Sequence, residues 1–237
     1  MKYIYIKSSL SAALLFLVIT GIILMKGNGS AYISTINSNN GHNASVLIID
    51  AGHGGTDGGA VANDGTKESA INLSVALKLE SLSKLFGINS VMTRRGEELD
   101  YPSDANTIAL KKRWDQNRRL EIINSFQNAI LISIHQNKYP DPRPSGPQVL
   151  YAPNDKSRLF GEITHNMLND ALCSHNRRVA SPIADNIYLI NNAKCPAILV
   201  ECGFISNVGE LAQLLNENYQ KKIASVIFSS YISYINL

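Results

Sequence analysis

The chain has 237 residues, enough for one sizeable domain and a short appendage. Hydrophobic residues make up 45% and charged residues 17%, which excludes a disordered chain. The net charge of +3, with no patch of interleaved basic and aromatic residues, gives no case for nucleic acid and is compatible with an anionic wall or membrane nearby.

At the start, Lys2 and Lys7 precede an apolar run from Leu10 to Met25. This is the pattern of a secretory signal or signal anchor, at the short end for a spanning helix. The stretch that follows is rich in Gly, Ser and Asn, with no apolar period, and reads as a linker. The expected layout is therefore residues 1–26 as signal peptide or membrane anchor, 27–44 as flexible linker and 45–237 as the functional domain, lying outside the cytoplasm.

The domain opens with Val46-Leu47-Ile48-Ile49-Asp50, a short β-rich run, followed by the glycine-dense turn Gly52-His53-Gly54-Gly55-Thr56-Asp57-Gly58-Gly59. Glycines let the loop fold tightly beneath one side chain, presenting His53 at the carboxyl end of a strand. A phosphate-binding G-x-G-x-x-G loop would need glycine where Asp57 stands, and a carboxylate there repels phosphate. From Ala70 to Leu85 the apolar spacing is helical, with Thr66 or Ser69 as candidate caps and Glu68 in or beside the first turn. Gly87 ends the helix, and Ile88 to Thr93 is the next strand, completing a β-α-β unit with parallel strands.

Ile108 to Asn124 reads as a charged amphipathic helix whose cluster of Lys111, Lys112, Arg113, Arg118 and Arg119 forms a solvated face. Ala129 to Ile134 is nearly all apolar, as a central buried strand should be, and it closes on His135. The proline-rich stretch Tyr139 to Pro147 must be a loop on the same side. Gln148–Tyr151 is a strand and Ser157–Leu172 a helix. His165 and His175 fall in polar contexts and read as surface residues. Ile187–Ile190 reads as a further strand, and Cys195–Glu201 as another apolar run closed by Glu201. Two helices finish the chain, about Val208–Asn216 and Tyr219–Ile235. Cys173, Cys195 and Cys202 are odd in number, and the last two bracket a strand, so no disulfide framework is expected.

Three strands thus end at His53, His135 and Glu201, and a helix begins near Glu68. Parallel strands point their carboxyl ends to one edge, where these groups converge. Two histidines and one carboxylate with an open position make a catalytic zinc site, and a second carboxylate beside it serves as general base.

The segments Asp50-Ala51-Gly52-His53-Gly54-Gly55, Lys67-Glu68, Val91-Met92-Thr93-Arg94, Ser133-Ile134-His135-Gln136-Asn137 and Pro196 through Asn207 resemble, in order, those of the zinc-dependent N-acetylmuramoyl-L-alanine amidases of the amidase-3 type. The resemblance covers Val46 to the end. It implies a single α/β domain with a mixed, mostly parallel sheet of about six strands and helices on both faces. It also implies one Zn2+ held by His53, Glu68 and His135, with Glu201 as the catalytic glutamate. The reaction implied is hydrolysis of the amide between N-acetylmuramic acid and L-alanine in peptidoglycan, on glycan strands bearing stem peptides. The alternatives are a metallo-carboxypeptidase acting on stem peptides and a catalytically weak peptidoglycan-binding module, which would usually lack one of the four groups. Arg94 and Arg119 are candidates to hold substrate carboxylates, with a surface or helix-packing arginine as the equal alternative. Size, single domain, N-terminal segment and the Ser145-Gly146-Pro147-Gln148 loop look most like the germination-specific, spore-cortex branch. That branch implies a step toward muramic-δ-lactam, a functional link to a muramic acid deacetylase and action in the forespore intermembrane space. Cys202 stands where the family usually has a small or hydroxyl residue. Because Glu68 sits at a helix start beside a glycine-rich loop, an activating protein partner is a further expectation.

Overall fold

The computed structural model describes residues 45–237. The expected anchor and linker lie outside the described residues. Six strands form one mixed sheet: β1 (Val46–Ala51), β2 (Ser90–Met92), β3 (Ala129–Asn137), β4 (Gln148–Tyr151), β5 (Ser181–Pro182) and β6 (Ala197–Phe204), in the order β2-β1-β3-β6-β4-β5. The first four in that order run parallel, β4 runs antiparallel to β6, and β5 is parallel to β4. Among the described residues six helices accompany them: α1 (Glu68–Leu85), α2 (Ile108–Asn124), α3 (Asp155–Leu172), α4 (Tyr188–Asn192), α5 (Val208–Leu214) and α6 (Glu217–Ile235). The expected α/β class, with a mostly parallel six-stranded sheet, is the one found. None of the described helices is long and apolar enough to cross a membrane.

Strand periodicity sorts the side chains onto two faces. Leu47, Ile49, Ile132, Ile134, Ile198 and Val200 pack with Ile71, Val75 and Leu79 of α1, Phe160 of α3 and Ile227 of α6. Ile48, Leu131, Ala197 and Leu199 pack on the other side with Ile123 of α2 and Ile190 of α4. Central strands buried on both faces have no reason to alternate, which is why β1 and β3 read as continuous apolar runs. The same parity carries the polar residues. Asp50, Ser133, His135 and Glu201 follow Ile48, Leu131 and Leu199 on the α2/α4 side, and His135 pairs in register with Glu201. Beyond that pair the register shifts: Asn137 faces Phe204, so β6 carries one extra residue.

Three readings from sequence change. Tyr188–Asn192 is a helical turn, not a strand. Of its apolar residues Ile190 alone is fully buried, and the side-chain amides of Asn191 and Asn192 donate to the carbonyls of Ile187 and Tyr188 four residues back (2.9 and 2.7 Å). A run of four apolar residues cannot decide between strand and helix. The edge strand is instead the two-residue β5. Second, β3 and β6 run on through His135 and Glu201 rather than stopping at them. Third, His165 is buried: its Nδ1 accepts from the Val149 amide (3.3 Å) and its Nε2 lies 2.7 Å from the Arg178 carbonyl. His175 is exposed, as expected.

Candidate metal centre

Four elements deliver side chains to one edge. The loop after β1 brings His53, the first residue of α1 brings Glu68, and β3 brings His135. One ligand atom from each of these three lies within 4.8 Å of the others. The imidazoles of His53 and His135 meet edge to face, 4.9 Å between centroids. Glu68 lies between them, Oε1 at 2.9 Å from His135 Nδ1 and Oε2 at 3.4 Å from His53 Nε2.

The loop geometry explains the glycines. A Cβ on Gly52 would stand 2.3 Å from His135 Nε2, and one on Gly59 would stand 2.6 Å from Glu68 Oε2. Both are closer than any side chain tolerates, so the backbone passes this near the imidazole and carboxylate because it carries no side chain. His53 itself has φ 60°, the one non-glycine residue with positive φ among those described. Such strain persists only when the surroundings impose it, and it gathers at functional sites.

Buried ions impose it here. Arg119 donates to Asp50 Oδ1 (2.7 Å), to the Ala51 carbonyl (2.6 Å), to the His53 carbonyl (2.5 Å) and to Asp115 (2.8 Å). Arg94 donates to the carbonyls of Ala51 (2.8 Å), Gly52 (3.1 Å), Ser69 (2.8 Å) and Gly96 (3.0 Å). Asp50 also accepts from the hydroxyls of Thr93 (2.7 Å) and Ser133 (2.5 Å). Burial raises the Asp50 carboxyl, but the Arg119 guanidinium and these hydroxyls outweigh it and bring it down to about 2. Both arginines are therefore committed to holding the loop, and the expectation that they grip substrate carboxylates is corrected. Arg119 also leaves the solvated face to which its helix position assigned it.

The ligand candidates are oriented from behind. Asp57 Oδ2 lies 3.1 Å from His53 Nδ1, leaving Nε2 to face Glu68, and Lys112 holds Asp57 in turn (3.0 Å). Asn72, one turn along α1 and fully buried, donates to Glu68 Oε1 (3.2 Å) and to the Gly52 carbonyl (3.1 Å), and accepts from Gln136 (3.1 Å). The amides of Ala60 (2.9 Å) and Gln136 (3.1 Å) complete the shell of Glu68. Burial pushes Glu68 up, yet His135, His53 and the Ala60 amide bring it down to about 2, so it is a full carboxylate. Sequence reasoning missed Asn72, Asp57 and Asp50. For Asn72 the signal was a polar residue on an otherwise apolar stripe, four residues after Glu68.

Glu201 is a carboxylate of a different kind. It lies beside His135 across the β3–β6 ladder, and its Oε2 is buried with no hydrogen-bond partner. Burial raises its pKa to about 7, against the pull of His135 and with the push of Glu68. A cavity of about 500 Å³ opens over these groups, walled by Lys112 and Gln116 of α2, by Ile187–Ile190 and by Lys138. Paired imidazoles, a fixed carboxylate and a carboxyl poised near neutrality are the parts of a metal-assisted hydrolytic site.

Known proteins agree. The family model described as N-acetylmuramoyl-L-alanine amidase matches residues 47–231. The chain belongs to this family. Among its relatives, the germination-specific N-acetylmuramoyl-L-alanine amidase of Bacillus subtilis is 32% identical over 195 residues, 80% of this chain and 79% of that protein. The solved structure of the CwlD amidase from Clostridioides difficile, in complex with the GerS lipoprotein, superposes with a TM-score of 0.78 at 33% identity, covering 81% of this amidase and 98% of that chain. The catalytic domain of CwlV from Bacillus (Paenibacillus) polymyxa superposes with a TM-score of 0.69 at 27% identity, covering 81% and 98%. The amidase is thus a peptidoglycan hydrolase of the N-acetylmuramoyl-L-alanine class.

Proposed function

We propose that His53, Glu68 and His135 hold a single Zn2+, and that Glu201 is the general base and then the general acid in cleavage of the muramoyl–L-alanine amide of spore-cortex peptidoglycan. The donor set suits the ion: two imidazoles, one carboxylate, and glycines that leave the ligand atoms room. Bound there, zinc would supply a Lewis acid for the scissile carbonyl and bring the pKa of a water toward about 7.

The rest falls to the chain. Glu201, half-buried with its Oε2 enclosed and near its own midpoint at neutral pH, accepts the proton of the attacking water and delivers it to the departing alanine nitrogen. A carboxyl this close to neutrality does both without a large driving-force penalty in either direction. Asp57 fixes the His53 ring and Asn72 fixes Glu68, so neither has to reorganise when substrate arrives. The single observation that carries the reading is the buried, unpartnered Glu201 Oε2 beside His135. The test is digestion of cortex peptidoglycan by the zinc-loaded amidase. New L-alanine amino termini on the released peptides support it; release of D-alanine alone would replace it with a carboxypeptidase.

The amidase relatives support a reaction outside the cytoplasm. Residues 1–26 as signal or anchor and 27–44 as linker would deliver the domain there, in the forespore intermembrane space. The germination-specific relative supports a role before lactam formation by a muramic acid deacetylase. The Clostridioides structure, solved with a lipoprotein bound, supports an activating partner here, ordering the Glu68 edge. Zinc occupancy that is full without any partner would remove that last element.

A further inference from the structure

Outside the catalytic cavity, one cluster of side chains has no part in the chemistry derived above. Trp114, the single tryptophan of the chain, meets Tyr101 edge to face with 5.6 Å between centroids. The Arg118 guanidinium lies 5.7 Å from the Trp114 ring, and Lys111 Nζ lies 5.1 Å from the Tyr101 ring. Arg118 is exposed, and no carboxylate pairs with it among the described residues. Trp114 and Arg118 form one wall of a cavity of about 240 Å³, and Arg95, Glu98, Leu99 and Asp100 belong to the facing loop.

Helix α2 carries both cavities. Lys112, Asp115, Gln116 and Arg119 face the catalytic one, a stripe at helical spacing. Trp114 and Arg118, four residues apart, form the neighbouring stripe and face the second. The two cavities therefore lie against neighbouring stripes of one helix. The second is also tied to the metal loop: the Tyr101 hydroxyl accepts from the Thr56 amide (3.2 Å), and Arg94 reaches from this wall to the Ala51 carbonyl.

We propose that this cavity is a second sugar subsite, which takes a neutral N-acetylated ring of the glycan strand next to the muramic acid under attack. The chemistry of the walls selects that ligand. An aromatic face suits the C–H face of a pyranose ring. A donor on Arg118 and acceptors on Glu98 and Asp100 suit hydroxyls and an acetamido group, while Arg95 is already paired with Glu80. Of the three arginines in the lining, Arg95 is paired with Glu80 and Arg94 is spent on backbone carbonyls, so Glu98 and Asp100 outnumber Arg118 and disfavour a phosphate or a peptide carboxylate. The inference rests on the amidase reading for the identity of the polymer. It adds that the enzyme reads a strand rather than one muramoyl peptide.

Trp114 makes the test direct, because all tryptophan emission comes from this wall. The zinc-loaded full chain is titrated with a peptide-free tetrasaccharide of alternating N-acetylglucosamine and N-acetylmuramic acid, which has no scissile amide. A saturable change in emission is expected, with its midpoint raised tenfold or more in Arg118→Ala and partly restored in Arg118→Lys. The same Arg118→Ala enzyme should show a raised KM and unchanged kcat on glycan strands, and unchanged kcat/KM on muramoyl-L-alanine. No saturable change with the wild-type chain, or the same midpoint in Arg118→Ala, would overturn the subsite and leave the cluster as a staple for the Gly96–Tyr101 loop. Hydrolysis of muramoyl-L-alanine tests the amidase reading separately.

Discussion

The amino end of α1 and the middle of β6 each place a glutamate beside His135, and the two could hardly be treated more differently. Glu68 is held by two backbone amides, one side-chain amide and an imidazole, and its pKa falls to about 2. Glu201 has an oxygen with no partner at all, and its pKa rises to about 7. Glu68 is buried and Glu201 half-buried, yet it is Glu201 whose carboxyl is raised, so exposure does not explain the difference. The difference is hydrogen-bond supply. A helix start beside a loop offers free N–H groups, whereas the amides of a strand in mid-sheet are spent on the ladder. A carboxylate given donors stays charged and suits a cation; one denied them exchanges a proton near neutral pH. Two groups pushed apart in this way mark an acid–base assignment.

The comparison can be broken by exchange of roles. Glu68→Ala should bring metal content and activity together to background, since three ligands leave no redundancy; stoichiometric metal with full activity in this variant would refute the ligand role. Glu201→Gln, which keeps size but cannot carry a proton, should retain zinc while turnover falls by about two to four orders of magnitude. Parallel loss of zinc in that variant, read by elemental analysis of the same preparation, would make Glu201 a ligand instead. A smaller effect sharpens the contrast in donor supply. Asn72→Ala removes one of the groups that hold Glu68 and should weaken zinc affinity about 10–100-fold in chelator competition, with the fold retained.

The smallest effect concerns the buried ions beneath the loop. Asp50 has a folded pKa of about 2 against an ordinary 3.8. A depressed carboxylate stabilises the fold above its unfolded pKa and loses that contribution as pH falls through the folded one. About 2 kcal/mol of stability should therefore disappear between about pH 4 and pH 2. Denaturant titrations at those pH values measure it, and Asp50→Asn should flatten this part of the profile while lowering stability at pH 7, because Arg119 is left buried without its partner.

Much of this was legible beforehand. The apolar runs of β1, β3 and β6 could only be buried parallel strands, and each sat just before or against a polar residue, so the edge that carries the chemistry followed from topology. The short helix at Tyr188 was not legible. Its four apolar residues fit either period, and packing against α2, where Tyr188 reaches Asn117 (3.1 Å), settled the matter. Nor were the roles of Arg94 and Arg119. Their charges suggested substrate or solvent, and only the fold shows that the loop carbonyls of residues 51–53 need donors that no secondary structure supplies.

The sequence by itself determined the residue types at the centre, the strand ends that bring them together and the family to which they belong. Those depend on local pattern: glycines around a histidine, apolar runs closed by polar residues, a glutamate at a helix start. Tertiary structure alone decided which carboxylate is held and which is left bare. It also decided which cations are buried, because a group's state depends on the donors and charges that distant segments place within hydrogen-bonding distance.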